Sequence, residues 1–263
     1  MILVFDIGNT NITIGCYDND RLVFVSRMHT TRQKTGDEFA VSLLDIFNHH
    51  GVNSSDFSGV ALSSVVPEVT AEVKKAIMLT VKKEPITVGK KYNGGLKSEY
   101  IKPEHIGHDL ISDCIGALKK YPMPCLVVDL GTASKILVLD KSGGFVGCTI
   151  APGVKISLDA LSAGTSLLPS ISFSKPEKVF SVDTVECMQS GTVYGTAAMI
   201  DGMTRRILNE LGYDSATVVA TGGYSGGIVP CCETPIIYDE NLLLDGLKAI
   251  YDDAVKETGG KQQ

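Results

Sequence analysis

The sequence predicts an α/β protein made of two similar domains that face each other across a cleft. Three observations lead there. Strand-like and helix-like patterns alternate through residues 1 to 100, as in a sheet flanked by helices. The layout of "MILVFDIGNTNITIGCYDNDRLVF" (1–24) returns in "PCLVVDLGTASKILVLDKSGGFVG" (124–147). Pro122 and Pro124 break the chain just ahead of the second copy. The expected domains are 1–118 and 119–263.

Taken in order, the first segment reads as strands Ile2 to Asp6, Asn11 to Tyr17 and Arg21 to Arg27, separated by Gly8-Asn9 and Asp18-Asn19-Asp20. Thr35 and Glu38 have capping-box spacing. Phe39, Leu43 and Phe47 then mark one helix face, and Gly51 ends the helix. "GVALSSVVP" (59–67) is a strand running into a turn. Pro67 opens a helix to about Val81, and "PITVG" (85–89) is a short strand. Residues 93–105 are loop-like. A helix from Gly107 to Lys120 carries Leu110, Ile111, Cys114, Ile115 and Leu118 on its apolar side.

In the second copy an apolar strand again ends in Asp, then one apolar residue, then Gly. Asp6 and Asp129 are 123 positions apart, too long a period for a solenoid. A helix from Gly153, a loop through Pro169 to Pro176 and a long helix from Thr184 to Leu211 follow. A strand (216–220), "TGGYSGG" (221–227) and an amphipathic helix from Glu240 to Lys256 end the pattern.

Composition narrows the function classes. The chain has 263 residues, 44% apolar and 21% charged, with a formal net charge of −6. No basic cluster suggests a nucleic-acid surface. No apolar run approaches the roughly 20 residues of a membrane span. The first residues enter a strand pattern without a basic, signal-like start. Seven cysteines form no framework, which argues for reduced thiols, mostly in the core and none catalytic. A cytoplasmic protein that binds neither nucleic acid nor membrane is expected.

The chemistry concentrates in Asp-x-Gly-Asn-Thr. A turn between two strands exposes consecutive backbone N–H groups, and Gly8 lets an anion approach them. Thr10 adds a hydroxyl donor. Asp6 cannot favourably meet phosphate itself, but it can hold hydrated Mg²⁺, which keeps waters and uses few carboxylates. One such turn is equally a plain hairpin. Two copies, each opening an α/β domain, favour phosphate binding. No Gly-x-x-x-x-Gly-Lys-Ser/Thr occurs, and "GGFVG" (143–147) lacks dinucleotide spacing. The glycines of "ATGGYSGG" either let adenine or ribose lie on backbone or simply start a helix. Asp109, in the first turn of its helix, is either a carboxylate favoured by the helix dipole or a general base. His49-His50 read as solvated residues near a helix end.

Together these residues resemble a known family. Asp-x-Gly-Asn-Thr (6–10), Asp-x-Gly-Thr-Ala (129–133) and "TGG" (221–223) are similar to the nucleotide-binding motifs of the actin-like ATPase and sugar/acetate kinase superfamily. With "SSVVP" (63–67), Gly-x-Asp (107–109), "APG" (151–153), "LLPSISFSKPEKVFSVDT" (167–184) and "SGTVYGTAAMIDG" (190–202), the motif order resembles type III pantothenate kinases over residues 1 to 255. The resemblance implies two ribonuclease H-like (actin-like ATPase) domains, each a mixed sheet flanked by helices. It implies transfer of the ATP γ-phosphoryl group to pantothenate, the first step toward coenzyme A. Asp6, Ile7, Gly8, Asn9, Thr10, Asn11, Ile12 and Thr13 would hold ATP phosphates, with Mg²⁺ on Asp6 through water. Thr132 would contact ATP, and Asp129 would bind the monovalent cation, K⁺ or NH₄⁺, that this family requires. Tyr100, Gly107, His108, Asp109 and Leu110 would contact pantothenate, with Asp109 as general base. Thr184 would reach the substrate from the partner subunit of a homodimer.

Three departures stand out. The family pattern Gly-Ala-Asp-Arg is Gly107-His108-Asp109-Leu110 here, and leucine cannot replace a charge-assisted donor. Lys102-Pro103 stands where Asn-Pro is usual. Thr-Ala-Thr-Thr becomes Thr132-Ala133-Ser134-Lys135. Strand alternation leaves Lys135 facing either solvent or the phosphate and cation site. The departures keep open a kinase for another small hydroxyl acceptor, or a non-catalytic nucleotide-binding regulator.

Overall fold

The computed structural model describes residues 1–102 and 105–259. Pro103, part of the second departure, lies outside the described residues. The chain divides into two compact units, one of Met1–Lys119 with the chain from Leu242 onward, the other Lys120–Asn241. The linear division of the sequence at 118/119 assigned the last helix to the second domain. The contacts group it with the first.

The first unit is a five-stranded mixed sheet in the order β3-β2-β1-β4-β5. Its strands are β1 Ile2–Ile7, β2 Asn11–Asp18, β3 Arg21–His29, β4 Gly59–Ser64 and β5 Ile86–Thr87. The hairpins β1–β2 and β2–β3 are antiparallel, and β1–β4 and β4–β5 are parallel. Between them run α1 Gly36–His49 and α2 Pro67–Thr80. The capping box at α1 forms as its spacing requires: Thr35 accepts from the Glu38 backbone, and Glu38 accepts from the Thr35 backbone at 2.8 Å. These hydrogen bonds hold the Glu38 carboxyl below its ordinary range. Leu3, Phe5 and Ile7 of β1 pack with Phe39, Leu43 and Phe47 of α1 and Val69, Val73 and Ile77 of α2. Alternation along the strand puts Asp6 on the opposite face.

After a loop comes α3 His108–Lys120. The last helix, α7 Leu242–Gly259, lies against β1 and β4. Tyr17 of β2 donates to Asp245 of α7 at 2.6 Å, and Lys119 of α3 pairs with Asp253 at 3.1 Å. These contacts span more than 130 residues of chain, which is why linear reading misassigned the helix.

The second unit repeats the first. Its sheet order is β10-β9-β6-β7-β8, the same plan as β5-β4-β1-β2-β3. The strands are β6 Cys125–Leu130, β7 Ala133–Leu139, β8 Phe145–Pro152, β9 Thr217–Thr221 and β10 Ile237–Tyr238. Antiparallel pairing of β6–β7 and β7–β8, and parallel pairing of β6–β9 and β9–β10, match the first sheet. Two α/β units of one topology are thus established. The helices are α4 Val154–Ala163, α5 Thr184–Leu211 and α6 Ser225–Ile228. α5 starts on the Asp183 cap, ends at Gly212 in the left-handed region (φ 65°), and packs Ala197 and Ile200 on Leu126, Val128 and Ile136.

The cysteines are less buried than composition suggests. Cys16, Cys114 and Cys125 lie in the core, Cys231 and Cys232 are half-buried, and Cys148 and Cys187 are exposed. Burial pushes the Cys16 thiol up to about 11 and the Cys125 thiol up to about 12, so both stay protonated. No described helix is long and apolar enough to cross a membrane.

Candidate active site

The first turn joins β1 to β2. The Gly8 N–H donates to the Asn11 carbonyl at 3.0 Å. Thr30, just past β3, braces it twice: its N–H donates to the Thr10 carbonyl (3.0 Å) and its hydroxyl to the Gly8 carbonyl (2.7 Å). These bonds tie back the carbonyls of Gly8, Thr10 and Asn11. Asn9, Thr10 and Asn11 are exposed, while Asp6, Gly8 and Thr13 are half-buried. Ile7 and Ile12 point into the core, so any ligand contact from these two is through backbone. Asp6 sits opposite Thr13 on β2 and beside Ser63 on β4, at the carboxyl ends of two parallel strands, where ligands of open α/β sheets bind.

The Gly-x-Asp motif reaches the same edge of this unit. β4 ends at Ser64, whose carbonyl lies 3.1 Å from Nδ1 of His108. This contact fastens the start of α3 beside the Asp6 strand. His108, a departure from the resembled pattern, is therefore a structural pin as well as a candidate contact. Asp109 follows, with Oδ1 accepting from the Leu110 N–H at 2.9 Å. A Cβ at Gly107 would lie 2.7 Å from that Oδ1, so a larger residue there would push the Asp109 carboxylate aside. Gly107, His108 and Asp109 are half-buried, and Leu110 is buried in the first unit. Tyr100 is 73% exposed in the preceding loop.

The second turn joins β6 to β7 and is one residue shorter. Gly131 N–H donates to the Ala133 carbonyl at 3.2 Å. Asp6 faces Thr13 across its hairpin, seven positions on, whereas Asp129 faces Lys135, six positions on. That single residue decides where the lysine points. Its Nζ lies 2.7 Å from Asp129 Oδ2, with the side chains 12% and 11% exposed. Lys135 does not face solvent. Thr132 is exposed at the tip.

"TGG" closes on this turn. Thr221 lies beside Asp129 in the parallel pair β6–β9. Gly222 has φ 93°, and a Cβ there would stand 2.6 Å from the Leu130 carbonyl carbon and 2.7 Å from Asp129 Oδ1. Only glycine permits that approach. The helix alternative also holds, since α6 starts at Ser225, whose hydroxyl donates to the Thr221 carbonyl. Thr184 is exposed at the first position of α5. Among the described residues no group of three His, Cys, Asp or Glu converges to hold a metal ion.

The class of protein follows from this fold: a duplicated mixed-sheet unit of the actin-like ATPase and sugar kinase type. Component A of (R)-2-hydroxyglutaryl-CoA dehydratase from Acidaminococcus fermentans superposes with a TM-score of 0.57 at 14% identity, covering 95% of this chain and 96% of that one. A Sinorhizobium meliloti protein described as a candidate 2-dehydro-3-deoxygalactonokinase gives 0.60 at 11% identity, covering 96% of each chain. At such identities the likeness is one of fold. The family model for type III pantothenate kinase matches residues 2–206. The Shouchella clausii type III pantothenate kinase is 40% identical over 96% of this chain and 99% of its own. That of Geotalea uraniireducens is 37% identical over 95% and 98%. The chain belongs to the type III pantothenate kinase family, and it is a kinase.

Proposed function

We propose that this kinase transfers the γ-phosphoryl group of ATP to the hydroxyl of pantothenate, with Asp109 as general base. The observation that carries this reading is full-length membership of the family. The shared edge of the first unit supports it, because His108 fastens the Asp109 helix to the strand beside Asp6. The backbone of the Asp6–Thr13 turn and the Thr10 hydroxyl hold ATP phosphates, and Thr132 contacts ATP from the second turn. Asp6 holds Mg²⁺ through water, and the ion when bound neutralises charge on the phosphate oxygens. Asp109 accepts the hydroxyl proton as the acceptor oxygen bonds to the γ-phosphorus and the bond to ADP breaks. Gly107, His108 and Tyr100 line the acceptor side, and Thr184 reaches it from the partner subunit of a homodimer. The site works in the cytoplasm.

A second reading, a kinase for a different small hydroxyl compound, is favoured by Leu110. The resembled pattern has an arginine there, whereas this leucine is buried. The test is ADP release from ATP and Mg²⁺ with and without pantothenate, on the native protein and on Asp109→Asn. Pantothenate-dependent release lost in the variant supports the first reading. Tight ATP binding without pantothenate-dependent release refutes it, and a screen of hydroxyl acceptors then tests the second.

A further inference from the structure

The resemblance assigns Asp129 to a monovalent cation, and the residues present do not fit that ion. The carboxylate already has a cation at contact distance, Lys135 Nζ at 2.7 Å from Oδ2. Both side chains are nearly nine-tenths covered, so the pair is little screened by solvent. The remaining oxygen, Oδ1, lies against the tight turns at Gly131 and Gly222. A potassium ion placed here would meet a carboxylate whose charge is already balanced, with an ammonium beside it. The attraction that would draw the ion in is gone, and repulsion from Nζ replaces it.

We propose that Lys135 is a built-in replacement for the monovalent cation, making nucleotide binding and turnover in this protein independent of K⁺ and NH₄⁺. The inference rests on the nucleotide assignment of the second turn made above. Its physical basis is a cross-strand pair. Asp129 and Lys135 occupy directly opposed positions of β6 and β7, where side chains share one face. The one-residue shortening of the turn brings the lysine onto that face, since a slip of one residue moves every side chain to the other face. An uncompensated Asp129 beside Thr132 would repel a triphosphate. The tethered ammonium removes that repulsion without capturing an ion from solution.

Binding of a non-hydrolysable ATP analogue with Mg²⁺ is measured by calorimetry in potassium, ammonium and choline chloride at matched ionic strength. The native protein is expected to bind within about twofold in all three, because only general screening differs. Lys135→Thr is expected to bind at least about tenfold more weakly in choline and to recover in potassium or ammonium, the scale of one lost charge contact. Lys135→Arg, which keeps a cation beside Asp129, is expected to stay insensitive. A native protein whose nucleotide affinity rises about tenfold with potassium would overturn the proposal. So would a Lys135→Thr variant that binds equally well in choline. The native arm needs no variant to fold, and no binding arm uses pantothenate. Failure of the acceptor assignment therefore leaves the result readable. Turnover under the same three salts is the second readout, with the same expected order.

Discussion

The two turns begin with nearly the same letters and set different residues opposite their carboxylates. Asp6 is half-buried at the end of β1, with Thr13 across the hairpin. Asp129 is buried at the end of β6, with Lys135 across the hairpin at ion-pair distance. Sheet order, strand direction and the placement of the carboxylate are common to both. The difference is one residue of turn length and the side chain that this brings opposite. A duplicated scaffold thus keeps its strand plan while the residue set opposite the carboxylate differs between the copies.

Paired carboxamides sharpen this contrast most. Asp129→Asn leaves the covered Lys135 ammonium without its carboxylate and should destabilise the second unit by about 3–5 kcal/mol, read by urea unfolding. Asp6→Asn should leave stability within about 1 kcal/mol. It should nevertheless cut turnover about a hundredfold or more, the scale of losing one electrostatic contact to a transferring phosphoryl group. Equal stability losses in the two variants would erase the difference between the turns.

Alanine at the glycines comes next. Gly222→Ala puts a Cβ 2.6 Å from Leu130 backbone at φ 93°, and a loss of about 1–3 kcal/mol in unfolding free energy is expected. Gly8→Ala meets only the Asn11 carbonyl, at 3.2 Å, and should lose less than Gly222→Ala in the same assay. The reverse order would mean that the first turn is the more tightly packed. His108→Ala removes the contact to the Ser64 carbonyl and should lower stability by about 1 kcal/mol. Because it loosens the start of α3, acceptor KM should rise more than nucleotide Kd. Equal changes in both would break the link between that pin and Asp109.

The smallest effect concerns acid. Burial alone would raise the Asp201 carboxyl, but hydrogen bonds from the Glu233 and Thr234 backbones, each at 2.9 Å, outweigh it and bring it below the ordinary range. Its stabilisation of the second unit is therefore complete above about pH 4, the unfolded carboxylate value, and fades as pH falls through the lower folded value. Asp201→Asn should remove up to about 1 kcal/mol near neutrality and flatten this part of the acid limb, measured as Tm against pH. An unchanged acid limb would mean that these two hydrogen bonds do not hold the unit.

Much of the fold was legible because its signals are local. The Thr35 and Glu38 cap, the Pro67 helix start and the hairpins on either side of Gly8 and Gly131 depend on residues a few positions apart. β10 was missed: two half-exposed residues, Ile237 and Tyr238, carry no periodicity. Of the candidate site, the Asp6 turn and Asp109 could be singled out from the sequence as candidates, with their roles implied by the resemblance. Gly222 showed as part of a glycine cluster, but its packing on Leu130 did not. The pinning role of His108 was invisible, because its partner Ser64 lies 44 residues away.

The sequence by itself determined the duplicated strand–turn–strand plan, the capped helices and the motif order that marks the family. Each depends on neighbours along the chain. Tertiary structure alone decided that α7 belongs with the first unit and that Lys135 faces Asp129. The last depends on register. Alternation along β7 says that its side chains take turns between two faces, but only the length of the turn and the pairing with β6 say which face the lysine takes.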